Sequence, residues 1–151
     1  MKVVGLTSGS GPGRCARSRR GSRVNTLIVI LGAGLGGGLR HGINVGVGRL
    51  LPALTFPLAT LLINVLGSFL IGVIAEAFAL RGAAGHPLRL FLTTGILGGF
   101  TTFSTFSLDA VGLYERGETA AAGLYVLGSV AASLIGLICG LALARGAFGA
   151  P

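Results

Sequence analysis

The run Gly98-Gly99-Phe100-Thr101-Thr102-Phe103-Ser104-Thr105-Phe106-Ser107 is the densest set of chemically capable groups in this sequence. Five hydroxyls fall within residues 101–107, inside an apolar stretch that extends from Leu90 to Val111. Polar groups in lipid must find partners, so such a run persists in a spanning helix only against protein or a polar cavity. The glycines admit two readings. They break a helix and free carbonyls that can face a cation, or they are a packing pair that admits a neighbouring helix. Phe103 and Phe106 are three apart and so share a helical face. An aromatic ring is positive at its edge, and two rims beside the hydroxyls of Thr102, Ser104, Thr105 and Ser107 suit a small anion that must shed water without being held too tightly. The blander account is that phenylalanines pack in core or lipid and that hydroxyls bond back to their own helix.

Three further polar residues sit inside apolar segments. Asn64 shares a face with Gly67 and Ser68 and is either interhelical glue or a donor to a permeating ion. Arg40 is the one cation well inside an expected span. It either snorkels to the interface or draws anions into a vestibule. Ser129 and Ser133 lie one turn apart in the last apolar segment. His41 and His86 have no second ligand at metal spacing, and Cys15 and Cys139 form neither a disulfide framework nor a metal motif. Glu76 and Asp109 are the acids near spans, and neither sits in a clear proton relay.

The elements that must position these residues follow from composition. The chain has 151 residues, 52% hydrophobic and only 11% charged, where a soluble domain carries about 25% charged residues. With 28 glycines it reads as an all-α integral membrane protein whose helices pack closely through small residues. About 20 residues per span leave room for four helices and no soluble catalytic domain, so no enzymatic activity is expected. The periodicity and punctuation predict helices over Asn25 to Val47, Leu58 to Leu80, Leu88 to Tyr114 with an interruption near Gly98-Gly99, and Thr119 to Ala144. Gly32/Gly36 and Gly34/Gly38 on the first helix offer close approach to another backbone.

The net charge of +8 does not indicate nucleic acid, because Lys2, Arg14, Arg17, Arg19, Arg20 and Arg23 all lie in the first 23 positions and no folded basic module is present. Residues 1–23 read as a disordered basic tail, residues 24–146 as the transmembrane domain and residues 147–151 as a short C-terminal tail. A signal peptide does not fit, since no cleavage site precedes a folded domain. A start at Val24 would remove the tail, and mass spectrometry of the native N-terminus distinguishes the two. Outside the tail the basic residues near the helix ends nearly balance: Arg81, Arg89 and Arg145 on one side, Arg49 and Arg116 on the other, with Arg40 if it reaches the surface. That balance gives almost no orientation and permits insertion either way up. The tail opposes it by favouring a cytoplasmic N-terminus.

The pattern resembles the Fluc/CrcB family of fluoride channels over Leu27 to about Gly146. Three motifs carry the resemblance in order: Gly32-Ala33-Gly34-Leu35-Gly36-Gly37-Gly38-Leu39-Arg40, then Asn64-Val65-Leu66-Gly67-Ser68-Phe69-Leu70-Ile71-Gly72, then Gly95 through Ser107. It implies a multi-pass protein of the cell membrane that passes fluoride passively, assembled as an antiparallel, dual-topology homodimer. It also implies a structural sodium ion at the dimer centre, held by main-chain carbonyls that fall by motif position on Gly98 and Thr101. It places Phe103 and Phe106 along the fluoride path, Asn64 as the pore asparagine, Ser104 and Thr105 on a hydroxyl track, Arg40 as the first-helix arginine and Ser129 as a fourth-helix pore serine. Asp109 stands where the family usually has Glu. The rival readings are a small proton-coupled multidrug exporter, which wants a membrane-embedded carboxylate, and a non-transporting assembly subunit.

Overall fold

The computed structural model describes residues 12–149, all helices and connecting turns with no strand among them. Helix α1 is Pro12–Leu50 and α2 is Leu58–Leu80. The third span, Pro87–Glu115, is built in pieces: a short α3 (Pro87–Leu90), a π-helical stretch Phe91–Leu97, a single turn α4 (Gly98–Phe100) and α5 (Phe103–Glu115). Helix α6 is Thr119–Phe148. Four segments are long and apolar enough to cross a bilayer: Ser22–Leu50, Leu58–Leu80, Pro87–Glu115 and Thr119–Phe148. The large apolar side chains of α1 and α6, Leu31, Leu35, Leu127 and Ile138 among them, point outward, the inverse of a water-soluble bundle. This is a multi-pass membrane protein.

Helix α1 runs on to Leu50 and α6 to Phe148, three and four residues past the expected ends, so α6 takes in the start of the segment expected as a C-terminal tail. Two further differences concern the start of α1 and the break in the third span. Helix α1 begins at Pro12, so residues 12–23 of the segment expected to be disordered continue the helix, while residues 1–11 lie outside the described residues. A helix already nucleated by an apolar span propagates cheaply into polar sequence, and proline is tolerated in a first turn. The second difference is the place of the interruption. Gly98 is helical (φ −65°, ψ −35°), and the chain leaves the helix at Thr101 (φ −75°, ψ 155°) and Thr102 (φ −153°, ψ 121°).

The glycines explain that shift, because close packing uses them. A methyl on Gly32 would lie 2.8 Å from Gly95 Cα and 2.9 Å from the Phe91 carbonyl oxygen. One on Gly36 would run into the Ile96 carbonyl, and one on Gly99 into the backbone of Ala33. Helix α1 and the first half of the third span therefore meet main chain to main chain. Helices α2 and α6 do the same: a methyl on Gly72 would meet the Leu137 carbonyl at 2.5 Å and one on Gly136 the Val65 carbonyl at 3.1 Å. The Gly34/Gly38 pair has open space around it, so only the Gly32/Gly36 half of the expected surface is used within the chain.

Two of the three turns between spans are closed by glycines with positive φ, Gly82 (63°) and Gly117 (80°). At each, the glycine N–H and the next N–H reach back to the last turn: Gly82 to Ala79 and Ala83 to Phe78, Gly117 to Tyr114 and Glu118 to Leu113. This Schellman geometry needs the left-handed residue that glycine supplies without strain. His86 caps the start of the third span, its Nδ1 accepting from the Leu88 N–H at 3.2 Å. Two small cores flank the Thr101–Thr102 interruption, one of Ile63, Leu97 and Phe100 and one of Phe106, Leu113, Ala122 and Tyr125.

Candidate functional site

Where the third span parts, a groove of about 540 Å³ opens between α2, α5 and α6. Asn64, Gly67 and Ser68 line it from α2, Gly98, Thr101 and Thr102 from the interruption, Phe103 and Phe106 from α5, and Ser129 and Ser133 from α6. Gly67 makes this possible, since a side chain there would occupy the space of the Thr101 methyl.

The interruption is held by one carboxamide. Asn64 Nδ2 donates to the Thr102 carbonyl at 3.1 Å, and Asn64 Oδ1 accepts the Thr102 N–H at 2.9 Å. Both backbone groups of an extended residue are thereby satisfied inside the membrane, as they must be. Thr102 in turn caps α5: its Oγ1 accepts the Thr105 N–H at 3.2 Å, the usual N-cap arrangement.

Much of the hydroxyl run is engaged within the third span itself. Thr101 Oγ1 donates back to the Leu97 carbonyl at 2.9 Å and Ser107 Oγ to the Phe103 carbonyl at 2.9 Å. Thr102 Oγ1 lies 3.2 Å from Ser104 Oγ and donates to Thr105 Oγ1 at 3.1 Å. Ser104 and Thr105 belong to the cap cluster and do not line the groove. Local back-bonding of this kind is the ordinary fate of hydroxyls in membrane helices.

Ser129 behaves differently. It is 3% exposed, and its Oγ has no hydrogen-bond partner among the described residues. A buried polar atom left unpaired is uncommon and calls for an explanation. One turn earlier on the same face lies Tyr125, fully buried, whose hydroxyl donates to Asp109 Oδ2 at 3.3 Å. Sequence reasoning passed over Tyr125. The signal was its spacing, because Tyr125, Ser129 and Ser133 recur at intervals of four along α6.

The aromatic residues form a ladder. The Phe103 and Phe106 centroids are 5.5 Å apart, Phe106 and Tyr125 are 5.3 Å apart, and Tyr125 meets Phe56 edge-on at 5.6 Å. Phe106 is buried at 8% exposure while Phe103 is 77% exposed in the single chain, so one ring is fixed by packing and the other stands at the open side of the groove. Arg40 is half-buried on α1 and is not among the groove residues. The acids are engaged away from the groove: Glu76 pairs with Arg145 at 2.8 Å, and Asp109 holds Tyr125.

No group of three or more metal-ligating side chains occurs among the described residues. The main chain offers another donor set. The Gly98 carbonyl would normally receive the N–H of Thr102, four residues on, but Asn64 has that N–H. The Thr101 carbonyl would receive the N–H of Thr105, but the Thr102 side chain has it. Gly98 is exposed and Thr101 half-buried.

A split third span with a groove at the split, lined by an amide and hydroxyls among apolar side chains such as Ile71, Val130 and Leu134, in a bundle of four membrane helices, defines a small multi-pass membrane protein. The chain belongs to the family described as CrcB-like protein, Camphor Resistance (CrcB), whose model matches residues 27–141. Among its relatives, the Fluoride-specific ion channel FluC of Methylobacterium nodulans is 57% identical over 122 residues, covering 81% of this chain and 97% of that protein. The protein of the same name from Rhodopseudomonas palustris is 57% identical over 119 residues, 79% and 95% of the two chains, and that from Rhizobium etli 50% identical over 123 residues, 81% and 97%.

Proposed function

We propose that this chain is a passive fluoride channel that lets the anion leave the cytoplasm and so limits its toxicity. Family membership supports this, together with one observation: the groove gathers an amide, two phenylalanine rings and an unpaired buried hydroxyl beside a break in a spanning helix. Fluoride is small and strongly hydrated. A narrow path must replace water with donors of modest strength, and ring edges, a serine hydroxyl and the second Asn64 Nδ2 hydrogen are of that kind. Hydrogen fluoride enters from acid surroundings as a neutral molecule and dissociates inside. The membrane potential then drives the trapped anion outward through the channel, without an enzymatic step.

The groove is open along one flank in the single chain, and Phe103 stands at that flank. We infer that a second copy, inserted the opposite way up, closes it and gives a dual-topology homodimer with two antiparallel paths. Its centre is the natural place for a sodium ion, and the Gly98 and Thr101 carbonyls fit that ion as hard, uncharged oxygen donors without helical partners. Sodium would supply a fixed positive charge tying the interrupted spans together. Ser104, Thr105 and Arg40, which the family resemblance also puts on the path, would act from its margins in this arrangement.

The exporter reading lacks support, because neither membrane acid lines the groove. The test is Phe106→Ile in liposomes read with a fluoride electrode. The substitution keeps apolar bulk but removes the ring edge, so efflux should drop sharply while the dimer persists. Wild-type efflux from the mutant would reject the aromatic role, and no efflux from well-folded wild type would favour a subunit that does not transport.

A further inference from the structure

Nothing in Thr101 or Thr102 alone forbids a continuous helix. Threonine costs about 0.5 kcal/mol in a helix interior relative to alanine, whereas an unsatisfied backbone group in hydrocarbon costs several kcal/mol. The default for this segment is therefore to close. What opposes closure is Asn64, which engages the N–H and the carbonyl of Thr102 at 2.9 and 3.1 Å. The consequences lie one turn away on either side. With its N–H taken by Asn64, Thr102 offers no donor to the Gly98 carbonyl. Held extended, Thr102 directs its Oγ1 to the Thr105 N–H, and Thr105 offers none to the Thr101 carbonyl. Both orphan carbonyls trace back to a single side chain on a different helix.

We propose that Asn64 is a positioning residue: its carboxamide keeps the third span open and so presents the Gly98 and Thr101 carbonyls to a cation. This inference rests on the sodium reading given above. It ties the groove to the cation cradle, because the side chain that lines one also builds the other.

The experiment uses the full chain in detergent, with thermal unfolding followed as sodium chloride replaces N-methylglucamine chloride at constant ionic strength. Wild type should gain thermal stability with sodium along a saturable curve. Asn64→Ala loses both hydrogen bonds. Asn64→Asp keeps the shape and accepts the Thr102 N–H but has no donor for its carbonyl. Both variants should need about tenfold or more sodium for half of the effect, as expected when one or two net hydrogen bonds that organise a site are lost. A merely structural role would lower the unfolding temperature equally with and without sodium and leave the half-saturation unchanged, and that result overturns the proposal while sparing the sodium reading. A wild type indifferent to sodium overturns both. If neither variant can be purified, hydrogen exchange on the unmutated protein decides. Sodium should slow exchange at the Thr102 amide if brace and cradle are one unit, and an unchanged rate refutes it.

Discussion

Ser129→Ala separates stability from transport, because the two should move in opposite directions. The Ser129 hydroxyl is buried to 3% exposure and has no partner among the described residues, not even the carbonyl one turn back on its own helix. A buried polar group in that state costs the fold about 1–3 kcal/mol. Alanine removes the oxygen and leaves a void of a single atom, so the variant should unfold at the same temperature or higher. At about 1 kcal/mol for a chain of this size, the gain is about 2–4 °C. If the hydroxyl serves a passing anion, its loss removes a hydrogen bond to a charged species, about 1.5–3 kcal/mol, and slows efflux about ten- to a hundredfold. Both quantities come from one preparation, thermal unfolding in detergent and a fluoride electrode on liposomes. A variant that is less stable yet conducts at the wild-type rate would show that Ser129 is a packing residue with an ordinary partner, and the argument from its unpaired oxygen would fail.

Three other substitutions test the architecture. Gly36→Ala forces a methyl into the Ile96 carbonyl and should destabilise the chain by at least the roughly 1–3 kcal/mol usual for overpacking, since backbone has no rotamer with which to yield. Gly34→Ala, with open space around it, is its control, and thermal unfolding of the detergent-solubilised protein should find it near wild type. Thr102→Val keeps the β-branch but deletes the cap oxygen and should cost about 0.5–2 kcal/mol, while Thr102→Ser should restore most of it in the same unfolding assay. Tyr125→Phe keeps the ring ladder and loses the bond to Asp109. A loss of about 1 kcal/mol is expected, and a measured loss near zero would mean that this 3.3 Å contact holds nothing.

What could be read before any coordinates depended on whether the cause was local. The bounds of α2 match the sequence expectation because Pro57 and Gly82 punctuate it and nothing distant competes. The start of α1 was misjudged because residues 12–23 have no apolar period of their own and are helical by continuation. The interruption fell three residues from where the glycines pointed, since a glycine reads alike whether it breaks a helix or admits a neighbour. Only the position of α1 shows that Gly99 does the second. The hydroxyl run likewise looked like a row of donors, and the capping and back-bonding of Thr101, Thr102 and Ser107 depend on a backbone geometry that composition does not reveal. Asn64 carried both possibilities on sequence alone, and its two bonds to Thr102 show that it joins α2 to the third span. The α6 spacing of Tyr125, Ser129 and Ser133 was fully legible and was read only in part.

The seam between α1 and the first half of the third span has one more consequence. Where side chains interdigitate, neighbouring helices can slide by exchanging rotamers. Here Gly32 and Gly36 face bare peptide planes at Gly95, Ile96 and Phe91, so there is no compliant layer to absorb a shift. These two segments must travel as a single rigid plate, so any relative movement of the helices is left to the opposite wall, where α5 and α6 meet through side chains, Phe106 on Tyr125 and Tyr125 on Asp109.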